Sequence, residues 1–369
     1  MFRALIFALL MLLNAPPAVP RDLDAAFRAW LERDFWPRAQ RAGISRPVFD
    51  SALSGLRLNL KLPDLRLPGQ GAVEREQKQA EFAAPAKYFN QRALRIHAAR
   101  GRALWRKHRD LLRQIEKRFG VPGPIVLAIW ARESNYGRAR IPHDAFAILA
   151  TQAFLSRRKA LFRAELLAAL RILQRRLAPR SGLKSSWAGA LGQPQMMPGD
   201  YLAYAVDFDG DGRRDIWRSV PDVLASIANH LHKHGWRRGL AWGVEVKVPA
   251  AVSCALEGPD QGRPLKDWRA MGLRPVRGAF PPSMRRGKVY LLMPAGRFGP
   301  AFLVTGNFYV IKDYNMSDLY ALFVGHLGDR IHAGGRAFSR PFADVGHLRR
   351  IDVARMQRAL VRAGHDVGG

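Results

Sequence analysis

Cysteine is close to absent from this chain. Its single copy, Cys254, excludes an intrachain disulfide and leaves no partners for a cysteine-rich metal site. Long apolar runs are missing as well. The leading one, Ala4 to Leu13, is too short to span a bilayer, and no cysteine follows it to take a lipid. Acidic residues are scarce: Asp+Glu number 30 against Lys+Arg 60, a formal net charge of +30. Such an excess implies an anionic partner (nucleic acid, a membrane surface or an acidic polymer) and says nothing of fold. Much of it is arginine scattered along the helices, so an ordinary solvated surface is the alternative. Blocks of five or more basic residues are absent, as are RNA-binding and zinc-finger signatures, so nucleic acid is not the expected partner. There is no internal repeat.

What is present points to a folded, exported protein. A hydrophobic fraction of 48% over 369 residues is ample for a core and suggests two or more domains. Residues 1 to 18 read as a cleaved secretory signal: Arg3, the apolar run, then the small, proline-rich NAPPA. A short uncleaved anchor is the alternative. One cysteine is compatible with an oxidising compartment.

Amphipathic patterning predicts a helix or helix pair from Asp22 to Phe49 and helical structure again from about 85 to 119, with Gly120 as the stop. Residues 54 to 71, rich in Leu, Pro and Gly, read as an extended connection. Further helices are expected at 158 to 177, 199 to 206, 220 to 234 and 316 to 330. Strands are expected at 244 to 248, 288 to 293 and 301 to 311, a small strand-rich subdomain within about 240 to 311.

The stretch IVLAIWARESNYG, 125 to 137, stands out. Ile125, Ile129 and Glu133 share one helical face, and Pro122 and Pro124 suit the helix start. Glu133 would thus sit at the end of an apolar helix, where desolvation favours the protonated form that a general acid needs. A solvated glutamate at a helix end is the plainer alternative. Glu165, mid-helix beside Lys159 and Arg163, is the rival carboxylate and reads as a surface pair.

Segment 185 to 198, SSWAGALGQPQMMP, combines small residues with Ser186 and Gln195 as neutral hydrogen-bonding groups and Trp187 as a flat face for a sugar ring. A tight interhelix turn is the alternative. The loop DFDGDGRRD places Asp207, Asp209, Asp211 and Asp215 at positions 1, 3, 5 and 9 of a calcium loop, with Gly212 at 6 and the carbonyl of Arg213 at 7. Three carboxylates two residues apart repel unless a cation joins them; a solvated Asp-Gly turn is the alternative. Arg218 stands at position 12, where a bidentate glutamate is usual, and Asp222 from the next helix is the expected substitute.

ARESNYG, SWAGALGQPQMMP, DFDGDG followed by DIW, and NFYVIKDYN stand in this order along the chain. Together they resemble the membrane-bound lytic transglycosylase B family, which cleaves peptidoglycan, over about 22 to 335. The resemblance implies a mainly helical α+β, lysozyme-like catalytic core with an EF-hand-like calcium loop and a small inserted β domain. It implies Glu133 as sole catalytic acid and base, and structural Ca2+ with no organic cofactor. Ser186, Gln195, Tyr314 and Asn315 match substrate-contacting positions, with Trp187, Tyr136 and His230 as further contacts. Trp187 stands where Tyr is common, and His230 where an aromatic is common. Residues 341 to 369 resemble the truncated start of a peptidoglycan-binding module, with Leu360 and Val361 on its apolar side.

The implied reaction is non-hydrolytic cleavage of the β-1,4 bond between N-acetylmuramic acid and N-acetylglucosamine, leaving 1,6-anhydromuramoyl ends. The alternatives are a lysozyme-type muramidase and a non-catalytic peptidoglycan-binding protein. Expected partners are peptidoglycan glycan strands, with peripheral contact to wall or membrane, for a periplasmic monomer.

Overall fold

The computed structural model describes residues 21–67, 85–343 and 350–365. The expected leader at 1 to 18, the end of the 54 to 71 connection, and Asp366 to Gly369 of the module-like tail lie outside them.

The architecture is mainly helical α+β, organised around the helix Gly123–Ser134. Ile125 through Ala131 are all buried, so this helix is apolar on every side, beyond the single face predicted from the Ile125–Ile129–Glu133 row. It can be so because helices Gln91–Lys107, Arg109–Phe119, Val220–Lys233 and Asp318–Ala333 enclose it. Pro122 is its N-cap and the preceding helix ends at Gly120, whose φ of 79° is left-handed.

A second apolar cluster joins the N-terminal helices (Arg21–Trp30 and Arg46–Leu53 among them) to Ala145–Leu155 and Lys159–Gln174. Ala145–Leu155 went unassigned from the sequence. Its AFAILATQAFL is apolar throughout, and a short run of that kind shows no period to read. Asp144 caps it, accepting from the Phe146 and Ala147 N–H groups, and is itself paired to Arg180 at 2.7 Å.

The third cluster lines a five-stranded antiparallel sheet. Its order is Arg263–Pro264, Lys288–Leu292, Ala301–Val304, Gly243–Lys247, Arg274–Pro275. Both edge strands carry proline, which cannot donate to a further strand. The strand predicted over 301 to 311 is corrected here, because it ends at Val304 and Gly306–Lys312 is a helix. Thr305 caps that helix, and buried Asn307 bonds Arg237 and Leu240 carbonyls at 2.9 and 2.8 Å. These long-range bonds, which the apolar pattern cannot reveal, decide the conformation. The last described helix, Arg350–Arg362, leaves Leu360 and Val361 exposed at 44% and 57%. No helix among the described residues is long and apolar enough to cross a membrane.

Candidate active site

Three consecutive left-handed residues end the central helix: Asn135, Tyr136 and Gly137, with φ of 50°, 59° and 76°. The Tyr136 N–H reaches back to the Trp130 carbonyl at 3.1 Å, which closes the last turn and strands Glu133 at the helix end. Gly137 has no room for a side chain, since a Cβ there would meet Gln193 Oε1 at 2.3 Å. Gln193 ties the site together. Its Oε1 accepts from Trp130 Nε1 at 2.8 Å, and its Nε2 donates to the Trp217 carbonyl at 2.8 Å. One amide thus joins the Glu133 helix, the glycine-rich loop and the end of the acidic loop.

Glu133 is partly buried, and Tyr320 Oη donates to its Oε1 at 2.6 Å. Tyr314 stacks parallel to Tyr320 with centroids 6.3 Å apart, and its own hydroxyl donates to the Pro194 carbonyl at 2.9 Å. Burial, and after it the charge of Glu133, holds both phenols well above their ordinary pKa, so they stay neutral donors. His230 packs against Tyr314 with centroids 4.5 Å apart and stacks on His234 at 4.2 Å. Burial, then His234, pushes the His230 imidazole down to about 3, so it is neutral.

Of the expected contact residues, Tyr314 therefore stands beside the Glu133–Tyr320 pair with His230 behind it. Ser186, Trp187 and Gln195 lie on the glycine-rich loop. Trp187 is 43% exposed, and Gln195 Nε2 is committed to the Gly192 carbonyl. Asn315 is exposed next to Tyr314. Tyr136 is buried, with its hydroxyl turned to the His97 carbonyl at 2.7 Å and its ring against Trp130, a packing role at the helix end. Tyr320 and Gln193 were missed by sequence reasoning. The signal for Tyr320 was a tyrosine inside the apolar run LYALFV, where a buried hydroxyl needs a partner. The surface pairing expected for Glu165 is corrected: its Oε2 accepts from the Gly199 N–H at 2.8 Å, and burial raises its pKa.

In the acidic loop, carboxylate oxygens of Asp207, Asp209 and Asp211 lie within 4.8 Å of one another. The chain folds back through its own turns, with Asp207 accepting from the Gly210 and Gly212 N–H groups and Asp211 from that of Arg213. Asp215 Oδ1 caps Trp217 and Arg218. Asp222 is buried, and its two oxygens accept from the Phe208 and Asp215 N–H groups at 2.8 Å each, so it clamps the loop's backbone at both ends. Three converging hard oxygen donors suit a hard divalent cation.

Residues 26–329 match the family described as the transglycosylase SLT domain. The chain belongs to this transglycosylase family. Membrane-bound lytic murein transglycosylase B of Escherichia coli (strain K12) is 32% identical over 232 residues, and the aligned part is 63% of each chain. The aligned part of the chain thus spans 63% of the length of that curated relative, less than two thirds. SltB3 from Pseudomonas aeruginosa is 40% identical, with a TM-score of 0.82 over 93% of this chain and 89% of that one. SltB3 has been solved with NAG-NAM-pentapeptide and with NAG-anhNAM-pentapeptide. The Escherichia coli lytic transglycosylase SLT35, solved in complex with calcium, is 26% identical, with a TM-score of 0.63 over 85% of this chain and 93% of that one.

Proposed function

We propose that this transglycosylase domain cleaves the β-1,4 bond between N-acetylmuramic acid and N-acetylglucosamine in peptidoglycan without water. Glu133 is its acid and then its base. The observation that carries this reading is the partly buried Glu133 at the last turn of an apolar helix, its Oε1 gripped at 2.6 Å by a neutral tyrosine. Tyr320 fixes the carboxyl through one oxygen, and the other is the working atom. That oxygen passes its proton to the leaving glycosidic oxygen. The substrate's own N-acetyl group stabilises the cationic carbon, so no second carboxylate is needed of the protein. The carboxylate then takes the proton of the muramoyl 6-hydroxyl as that oxygen closes on the anomeric carbon. The 1,6-anhydro ring forms, the glycosidic bond has broken, and Glu133 is protonated again.

Ser186, Trp187, Gln195, Tyr314, Asn315 and His230 border the glycan in this reading. Trp187 offers its exposed ring to a sugar face. Asp207, Asp209 and Asp211 hold a calcium ion, with the Arg213 carbonyl and Asp215 beside them, while Asp222 braces the loop. Bound there, the ion neutralises the three carboxylates and stiffens the link between helices Pro198–Tyr204 and Val220–Lys233. Export by the 1 to 18 leader places the enzyme in the periplasm, where the wall polymer lies.

Digestion of purified sacculi followed by mass spectrometry of the fragments tests the proposal. Anhydro ends are lighter than hydrolysed ends by one water. Fragments ending in reducing muramic acid would make the protein a hydrolase, and release of nothing would make it a binder.

A further inference from the structure

Away from Glu133, a cavity of about 200 Å3 opens where the sheet meets the last long helix, Asp318–Ala333. Its volume is below the ~300–1,000 Å3 of sites for drug-sized ligands, so its occupant is small or is the end of something larger. The walls are aromatic: Trp242, Phe302 and Phe338. Into this setting projects Asp329, whose carboxylate accepts from Trp242 Nε1 at 3.2 and 3.3 Å and forms no ion pair among the described residues. Arg277, Arg336 and a second carboxylate, Glu245, also line the cavity. The wall they belong to is pinned: Arg277 donates to the Ala337 carbonyl at 3.1 Å, and the Ser339 N–H donates to Glu245 at 2.9 Å. Beneath Phe338 lies His326, with ring centroids 3.9 Å apart, kept neutral by burial and then by Arg330 and Arg277 (pKa down to about 3). The two arginines are therefore the cationic groups facing this space.

An unpaired carboxylate among aromatic rings is the chemistry that holds an ammonium group, through charge and through the ring faces. Two guanidinium groups at the same cavity are the chemistry that holds a carboxylate. We infer that this cavity binds an α-amino-carboxylate group, its ammonium on Asp329 against Trp242 and its carboxylate on Arg277 and Arg336. Two sources carry that group. One is a free amino acid. The other is a diamino acid side chain of a wall peptide stem, a source that rests on the peptidoglycan reading above. Asp329 lies nine residues beyond Tyr320 on one helix, about two and a half turns, so the cavity stands about 13 Å along the axis and on the opposite helix face from the Glu133–Tyr320 pair. Gly325 belongs to the same construction, since a Cβ there would meet the Trp242 ring at 2.5 Å.

The full chain is titrated with alanine, ethylamine and propionate while the Trp242 indole N–H resonance is followed, assigned with Trp242→Phe. Alanine should shift that resonance saturably, and each single-ended probe should bind at least ~10-fold more weakly, as expected when one charged partner is removed. Asp329→Asn keeps an oxygen for Trp242 to donate to, and should weaken alanine by at least ~10-fold. Arg277→Ala with Arg336→Ala should do the same, whereas Glu133→Gln should leave alanine binding unchanged. NAG-NAM-pentapeptide that displaces alanine assigns the site to the peptide stem; alanine binding without such displacement assigns it to free amino acids. No saturable shift below about 10 mM, or ethylamine binding as well as alanine, overturns the inference. Because the readout is a resonance at Trp242, these results stand apart from whether the protein cleaves glycan.

Discussion

Glu133 owes its candidate role to two neighbours that act in different ways: the αL turn that ends its helix and the Tyr320 hydroxyl that fixes one of its oxygens. Glu133→Gln is expected to keep the fold and lose at least ~10²-fold in rate on sacculi, the low end for a general acid. Near-normal turnover by that variant would place the chemistry elsewhere. Tyr320→Phe keeps the ring that stacks on Tyr314 and removes a hydrogen bond to a charged group, worth about 1.5–3 kcal/mol of stability. The melting temperature should therefore fall by several degrees, and kcat on sacculi should fall as Glu133 loses its fixed orientation. Asp329 makes a prediction of the opposite kind. Desolvation against the cavity wall pushes its carboxyl from the ordinary 3.8 up to about 6, with the Trp242 bond opposing. Exposure of the residue to solvent keeps the effect on stability small. A carboxyl raised on folding holds a proton longer in the folded state, so its contribution to stability falls as pH rises from about 4 to about 6. Asp329→Asn should therefore gain melting temperature relative to the parent across that window and hold the gain above it. A parent-minus-variant difference that does not vary with pH would refute the shift.

At the scale of elements, the acidic loop is a joint between helices Pro198–Tyr204 and Val220–Lys233. Three carboxylates within 4.8 Å repel one another until a cation enters. A cation bound only by the folded state stabilises by about 2.7 kcal/mol at a hundredfold excess over Kd, on the order of several degrees in melting temperature for a chain of this size. Melts with chelator and with added calcium should differ by that amount in the parent, and should coincide in Asp207→Ala with Asp211→Ala. Activity at low temperature should survive the double substitution, because the carboxylates act on the joint and not on the glycan. A chelator that stops turnover while leaving the melt unchanged would reverse that division of labour.

Across the whole molecule the +30 charge is spread along helices, not gathered in one block. Gln91–Lys107 has no acidic residue, and its Arg92, Arg95, Arg106 and Lys107 are exposed. Long-range attraction of this kind is screened within ~10 Å at 0.1 M salt. Binding to whole sacculi should weaken as salt rises from low to high, while cleavage of a short neutral glycan should not. Salt-independent sacculus binding would show that the charge serves another purpose.

The chain order of its motifs, the helix and loop placing Glu133, and the acidic alternation of Asp207, Asp209 and Asp211 were legible in the sequence. So were the three central strands of the sheet, though not the end of the third or the two edge strands. Each is a local matter, of period, capping or spacing over a dozen residues. Tertiary structure alone decided the rest. That Tyr320, 187 residues after Glu133, is its hydrogen-bond partner follows from two helices packing side by side. Tyr136 looks inward and Asp222 clamps backbone because their surroundings are buried, and burial is a property of neighbours distant in sequence. Gly306–Lys312 is a helix because Asn307 must satisfy carbonyls some 70 residues away. The cavity at Asp329 exists only because sheet and helix meet there, so no stretch of sequence could announce it.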